Sequence, residues 1–110
     1  MHIIYGLKTP VALFVYFACC VMLMLPVKSF AASTLKGKGV YDANCASCHG
    51  ESGSSVMLDA PNFDQGESLY QSDLNLLDAI RNGKNAMPAY RGILSDSEIL
   101  DVIAYLRTLN

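Results

Sequence analysis

The sequence predicts a small all-α domain built on three main helices. Three segments carry apolar residues at helical spacing, and loops that contain glycine or proline separate them. Nothing between Gly50 and Ser72 alternates apolar and polar residues in the manner of a half-buried strand. The chain of 110 residues allows one domain at most, without room for a second core.

The first two predicted helices cover about residues 34–44 and 73–82. Gly37 and Gly39 lie inside the first, and each weakens a helix by about 1 kcal/mol relative to alanine. The second has a candidate N-cap in Ser72, and the glycine after its last residue is placed to end it. The predicted apolar positions are Leu35, Val40, Tyr41 and Ala43 in the first helix and Leu74, Leu76, Leu77 and Ile80 in the second.

The last helix has the clearest sequence signals. Ser95 and Glu98 form a capping box, in which each side chain satisfies an unpaired backbone amide at the helix start. Leu94 and Ile99 can add a hydrophobic staple across that cap. The predicted buried face consists of Ile99, Val102, Ile103, Leu106 and Leu109, which recur at helical spacing.

Residues 1–31 are typical of a secretory signal peptide. Lys8 supplies the positive charge, residues 11–25 form an uninterrupted apolar run, and Ser29–Ala31 offers small residues before a cut at Ala32. The alternative is an uncleaved membrane anchor, because the uncharged stretch 9–27 just reaches the length of a bilayer core. We expect cleavage, which leaves 32–110 as the functional domain.

The charge of the chain argues against a nucleic-acid-binding protein. The net charge is −2. Without residues 1–31, six Lys and Arg residues face ten Asp and Glu residues, a net charge of −4. A protein that neutralises phosphates needs a basic face, and this composition does not supply one.

Cys45, Cys48 and His49 form a C-x-x-C-H motif, the attachment signature of a c-type haem. Two thiols at this spacing can reach the two vinyl groups of one porphyrin, and the adjacent histidine can ligate the iron. A domain of about 80 residues rarely holds together on side chains alone, so a covalent haem would also stabilise it. The motif predicts one haem c. The alternatives are a zinc site, which would need four ligands, and a redox dithiol, which would need a βαβ unit.

The second axial ligand has few candidates. His2, the only other histidine, lies in the predicted signal peptide, so two-histidine ligation is excluded within residues 32–110. Met57 follows His49 by only 8 residues, whereas Met87 follows it by 38, in a loop that continues into Pro88. Met87 is therefore favoured as the distal iron ligand and Met57 as a packing or surface residue. Core filling is the alternative for Met87.

Four short motifs then follow one another along residues 34–110. They are Gly37-x-x-x-Tyr41-x-x-x-Cys45-x-x-Cys48-His49, Ala60-Pro61-Asn62, Asn82-Gly83-Lys84-Asn85-Ala86-Met87-Pro88-Ala89-Tyr90 and Ile103-Ala104-Tyr105-Leu106. In this order they resemble the class I cytochromes c, especially the short bacterial and photosynthetic ones. The resemblance implies the small cytochrome c fold, in which three main helices surround one covalently attached haem.

The resemblance also implies where the first and last helices cross. Gly37 and Tyr41 resemble the family positions that meet Val102 and Tyr105 of the last helix. A glycine lets two backbones approach closely, which is a reason to tolerate its low helix propensity.

Around the haem, the resemblance implies a role for Pro61. Its carbonyl would accept a hydrogen bond from the Nδ1–H of His49 and so fix the ring tautomer. The sequence departs from the family pattern at Ala60, where glycine is often found, and in having no tryptophan to bond a haem propionate. Candidates for that contact are Tyr70, Tyr90, Arg81 and Arg91, each of which could equally be a surface residue.

These features predict a periplasmic single-electron carrier and not an enzyme. With both axial positions filled by protein, substrate cannot reach the iron. Redox proteins with a basic docking surface are the expected partners, the chain is expected to be a monomer, and a membrane is involved only if residues 9–27 stay as an anchor. The alternatives are a haem protein with an open or labile sixth site, which binds gases or acts as a weak peroxidase, and a membrane-anchored relay subunit.

Overall fold

The computed structural model describes residues 9–22 and 31–110. Contacts divide the chain into two units, Met1–Phe30 and Ala31–Asn110. In the first unit, helix α1 spans Thr9–Met22. Among the described residues, no helix is both long enough and apolar enough to cross a membrane. Part of the predicted cleavage site, Ser29 and Phe30, lies outside the described residues.

The second unit contains four helices. They are α2 (Thr34–Asn44), α3 (Ala46–His49), α4 (Asp73–Asn82) and α5 (Asp96–Leu106). The bounds of α2 and α4 agree with the sequence prediction, and α5 begins at the predicted capping box. The sequence did not predict α3 or the short 3-10 turn Phe63–Gln65. Between residues 31 and 110 the structure contains helices, turns and two isolated bridges, so the all-α prediction is confirmed.

Helices α2 and α5 cross at Gly37. A Cβ atom on this residue would overlap the backbone carbonyl of Asp101 in α5, so only glycine allows the two backbones to approach this closely. One turn further along α2, the rings of Tyr41 and Tyr105 lie 5.3 Å apart at an angle of 60°. The predicted crossing is confirmed. The core around it consists of Tyr41, Phe63, Leu69, Val102 and Leu106.

Helix α4 packs against the other part of α5. Leu76 is buried together with Ile99 and Ile103, and Leu94 packs beside them as the hydrophobic staple requires. Ser72 caps α4 by accepting a hydrogen bond from the backbone of Asn75. Leu35 and Leu74, predicted as apolar positions of α2 and α4, do not join these cores: their side chains are 82% and 73% exposed.

The loop between the 3-10 turn and α4 is attached to the end of α5 by Arg107. Its guanidinium donates to the carbonyls of Leu69 and Gln71, at 2.6 and 2.9 Å, and to the carboxylate of Asp73 at 2.5 Å. These bonds join the first turn of α4 to the C-terminal end of the chain.

Candidate haem site

The C-x-x-C-H motif occupies the junction of α2 and α3. Cys45 ends α2, and the amides of Cys48 and His49 both donate to its carbonyl, at 3.1 and 3.0 Å. Gly50 then ends α3 with a φ of 77°, a conformation that favours glycine. Both thiols are half-buried on this turn and are free of disulfides. Burial raises the pKa of Cys45 to about 11, and the nearby Cys48 adds to the shift, so the Cys45 thiol is protonated at neutral pH.

Tyr41 forms hydrogen bonds with the backbone at the end of this turn. Its side chain is fully buried, and its hydroxyl donates a hydrogen bond of 2.6 Å to the carbonyl of Gly50. The carbonyl of His49 lies 3.3 Å from the same hydroxyl. Burial raises the pKa of Tyr41 to about 12, so the phenol remains a donor throughout the neutral range. The core of α2 and α5 thereby positions the histidine backbone.

The His49 ring is buried and incompletely satisfied. Its Nδ1 atom has no hydrogen-bond partner among the described residues, which is uncommon for a buried polar atom. Phe63 stacks on the ring, with centroids 4.6 Å apart and an angle of 23° between the planes. The sequence analysis did not single out Phe63, although it is the one phenylalanine of residues 32–110.

Burial lowers the pKa of His49, and the backbone carbonyl of Pro61 partly offsets that effect. The carbonyl is therefore close enough to favour a protonated ring, yet it does not form a hydrogen bond of normal geometry with Nδ1. Within the described part of the chain, the Nδ1 atom of His49 thus has no partner, and the carbonyl of Pro61 is a backbone acceptor near the ring.

Met87 lies in a closed loop between α4 and α5. The amide of Lys84 donates to the carbonyl of Met87 at 3.1 Å, and the amide of Met87 donates back to Lys84 at 2.9 Å. Gly83 and Asn85 allow this tight turn with φ values of 73° and 54°. The side chain of Met87 is half-buried.

Tyr90 joins this loop to the C-x-x-C-H turn. Its hydroxyl donates a hydrogen bond of 2.7 Å to the carbonyl of Asn44, the residue before Cys45. Burial raises the pKa of Tyr90, so its phenol is a neutral donor. The two predicted ligand segments, which are far apart in sequence, are thus brought together by one side chain.

Met57 lies beside Cys48. Its amide donates to the Cys48 carbonyl at 3.2 Å, and its side chain is 44% exposed. The backbone at Met57 is therefore bonded to the same turn that carries His49.

Three of the four propionate candidates are engaged elsewhere. Arg81 pairs with Asp96, and Arg91 donates to the side chain of Asn82 at 2.5 Å. Tyr90 bonds the Asn44 carbonyl. Tyr70, by contrast, is 90% exposed.

These residues fit a haem better than a metal ion alone. A buried histidine with an unpartnered Nδ1 atom stands next to two half-buried thiols, and a methionine loop is tied to the same turn. In the part of the chain that the structure describes, no three His, Cys, Asp or Glu residues are grouped so as to hold a metal ion. The set combines two thiols that can form thioethers with nitrogen and sulfur donors for iron.

Comparisons with known proteins show similarity to c-type cytochromes. Residues 32–106 match the family described as cytochrome c oxidase, cbb3-type, subunit III. Cytochrome c6 from Synechococcus sp. is 44% identical over 86 residues, covering 74% of this chain and 75% of that protein. Cytochrome c6 from Porphyra purpurea is 39% identical over 103 residues, covering 90% and 91%.

A solved structure shows the same likeness in three dimensions. Cytochrome c6 from the diatom Phaeodactylum tricornutum superimposes with a TM-score of 0.59 at 32% identity, covering 69% of this chain and 92% of the other. The helices that surround the C-x-x-C-H turn are thus arranged as in a known c-type cytochrome. The chain therefore belongs to the class I c-type cytochromes, electron carriers with one covalently attached haem c.

Proposed function

We propose that this chain is a periplasmic single-electron carrier, in which Cys45 and Cys48 attach the haem and His49 and Met87 are its axial ligands. The buried C-x-x-C-H turn is the observation that carries the proposal, because it presents both thiols and a buried imidazole together. When bound, the haem supplies an iron that accepts and returns one electron. The remaining functions belong to the side chains around it.

The proximal side supports a fixed histidine. Tyr41 holds the backbone of the turn through the Gly50 carbonyl, and Phe63 stacks on the ring. We infer that Pro61 accepts a hydrogen bond from Nδ1–H once His49 is drawn to the iron, since Nδ1 otherwise lacks a partner. That bond would fix the tautomer and strengthen the imidazole as a donor.

On the distal side, the closed loop supports Met87 as the ligand. The reciprocal bonds between Lys84 and Met87 limit how far the methionine backbone can move. A ligand that moves little keeps the iron environment similar in both oxidation states, which favours fast electron transfer. A thioether ligand also raises the reduction potential relative to two histidines.

Spectroscopy of Met87 variants tests the ligation. Ferric haem with a methionine sulfur ligand has a weak charge-transfer band in the far red. We expect the band in the wild-type protein and in Met57→Leu, which is the matched control, and its complete loss in Met87→Ala. A wild-type protein without the band, or a Met57→Leu protein that loses it, would refute Met87 as the ligand.

The same variants address the alternative of an open sixth site. Carbon monoxide should bind the ferrous wild-type protein poorly and the ferrous Met87→Ala protein readily, because the sulfur must leave before a gas can bind. Equal affinity in the two proteins would favour a gas-binding or weakly peroxidatic haem protein.

We propose that residues 1–31 are a signal peptide and that 32–110 are the exported domain. The apolar run and the small residues before Ala32 support cleavage in the secretory pathway. N-terminal sequencing of the exported protein tests this directly. A mature chain that begins at Ala32 is expected, whereas retention of residues 9–27 would support a membrane-anchored relay subunit.

The distribution of charge supports partners with a basic docking surface. Between residues 50 and 80 the chain carries six acidic residues and no Lys or Arg. Only Asp73 among them forms an ion pair in the described structure, with Arg107. The segment that follows His49 therefore presents a negative surface that can steer a basic partner.

Small redox complexes of opposite charge can test this steering. We expect the reaction with a cationic cobalt complex to slow as salt is added and the reaction with an anionic iron complex to accelerate. Asp59→Asn should lower the cationic rate more than Asp42→Asn, a matched control that lies outside residues 50–80 and is already paired with Lys38. Rates that do not depend on salt for either complex would contradict the proposal.

A further inference from the structure

We propose that Tyr90 is a positioning residue that ties the Met87 loop to the C-x-x-C-H turn and so limits release of the methionine sulfur from the iron. This inference rests on the proposed ligation by His49 and Met87 and goes beyond it. It assigns to one hydroxyl group the control of how often the distal side opens. The other three propionate candidates have no comparable link between the two segments.

The hydrogen bond from Tyr90 spans 46 residues of sequence. Its hydroxyl lies 2.7 Å from the carbonyl of Asn44, and the contact is partly buried. Asn44 is the last residue of α2, and the last carbonyls of a helix lack partners within the helix. Tyr90 therefore satisfies a group that needs a partner, immediately before the first cysteine of the haem motif.

The other end of the loop is held by backbone contacts. The amide of Tyr90 donates to the carbonyl of Ile80 at 3.2 Å, and the amide of Arg91 donates to Arg81 at 3.0 Å. These bonds attach the loop to α4. The Tyr90 side chain adds the direct link from the loop to the cysteine-bearing segment. Loss of that hydroxyl removes the hydrogen bond between the loop and the segment before Cys45. The backbone bonds between the loop and α4 remain.

The size of the expected effect follows from the strength of one neutral hydrogen bond. Such a bond shifts a conformational equilibrium by about two- to twelve-fold. An external ligand binds the ferric iron only when the methionine has left, so its apparent affinity rises with the open fraction. Ligand competition therefore reports the position of the loop, which a measurement of overall stability does not.

The experiment uses the haem-loaded protein and imidazole as the competing ligand. In Tyr90→Phe, which removes one oxygen atom, we expect imidazole to bind the ferric protein about two- to twelve-fold more tightly than in the wild type. The far-red sulfur band should disappear at correspondingly lower imidazole concentrations. Tyr105→Phe, the matched control whose hydroxyl forms no hydrogen bond in the described part of the chain, should leave the imidazole affinity unchanged.

The outcomes separate the inference from the proposed function. If the band is present and Met87→Ala abolishes it, but Tyr90→Phe binds imidazole as the wild type does, then the positioning role of Tyr90 is refuted and the ligation stands. If the wild type has no band and binds imidazole as Met87→Ala does, the ligation fails and the inference fails with it.

A second measurement does not depend on a variant. In the wild-type haem protein, NMR should detect a slowly exchanging hydroxyl proton of Tyr90 close to the amide proton of Cys45. Rapid exchange of that proton, or its location away from Cys45, would overturn the inference even if Tyr90→Phe could not be produced.

Discussion

The hydroxyl of Tyr41 lies 2.6 Å from the carbonyl oxygen of Gly50 and donates a hydrogen bond to it. This contact links the helix crossing to the haem motif, since Tyr41 packs on Tyr105 of α5 and Gly50 follows His49. The backbone that carries the proximal histidine is therefore fixed by the same core that holds α2 against α5. The Tyr41 side chain thus contributes both to the stability of the helix crossing and to the position of the His49 backbone.

Removing that phenol should destabilise the protein. We expect Tyr41→Phe to lower the free energy of unfolding by about 0.5–1.5 kcal/mol, because it removes the buried phenol donor and leaves the Gly50 carbonyl with only the longer bond of 3.3 Å from the Gly53 amide. Denaturant unfolding of the haem protein, followed by circular dichroism, measures the change. Tyr105→Phe is the control, since the Tyr105 hydroxyl forms no hydrogen bond among the described residues. An equal loss in both variants would contradict this account.

The two glycines of α2 should respond in opposite directions to the same substitution. In Gly37→Ala the new methyl group meets the backbone of Asp101, and we expect a loss of about 1–3 kcal/mol. In Gly39→Ala the methyl group meets no atom within 4 Å, and we expect a gain of about 0.5–1 kcal/mol from helix propensity. Denaturant midpoints of the two proteins provide the comparison. A gain in both variants would show that α2 and α5 do not approach closely at Gly37.

Local signals allowed the helices and the haem motif to be predicted. The capping box of Ser95 and Glu98 and the cap at Ser72 involve residues three positions apart, so the sequence displays both partners together. The crossing at Gly37 came from a resemblance, because the residue that excludes a side chain there, Asp101, lies in another helix. The spacing of C-x-x-C-H indicated the cofactor by itself.

Contacts between distant segments could not be predicted in this way. The bond from Tyr90 to Asn44 joins two residues that are 46 positions apart. The bonds from Arg107 to Asp73 and Leu69 join residues that are 34 and 38 positions apart. A tyrosine or an arginine that bonds a backbone carbonyl leaves no pattern in the sequence, since every residue has a carbonyl. The exposure of Leu74 has a related cause. Helical spacing identifies an apolar face, but it does not show how much of that face a neighbouring helix covers.

The stability that Arg107 contributes should depend more on its hydrogen bonds to backbone carbonyls than on its ion pair with Asp73. We expect Arg107→Gln to cost about 1–3 kcal/mol of unfolding free energy, because it removes the donors to Leu69 and Gln71. Asp73→Asn should cost less than about 1 kcal/mol, because the pair with Arg107 is exposed to solvent and screened. Thermal unfolding at two salt concentrations measures both. A larger loss of stability in Asp73→Asn than in Arg107→Gln would show that the ion pair contributes more than the carbonyl contacts.

The capping box of α5 should make stability depend on pH through Glu98. Its carboxylate accepts hydrogen bonds from the hydroxyl and the amide of Ser95, at 2.7 and 2.8 Å, and these lower its pKa below the ordinary value of 4.5, the hydroxyl having the larger effect. The unfolded chain thus binds the proton more readily than the folded one. The stabilisation is present in full above pH 4.5 and is lost as pH falls through the folded-state pKa.

Comparison of wild type with Glu98→Gln isolates this contribution. The stability difference between the two should be constant near neutral pH, should decline below pH 4.5 and should vanish once the carboxyl group is protonated in the folded state. In a Ser95→Ala background the pH-dependent part should shrink, because the hydroxyl donor is absent. Urea unfolding across the acid range provides the measurement. Parallel stability curves for wild type and Glu98→Gln would mean that the ionised carboxylate does not stabilise the start of α5.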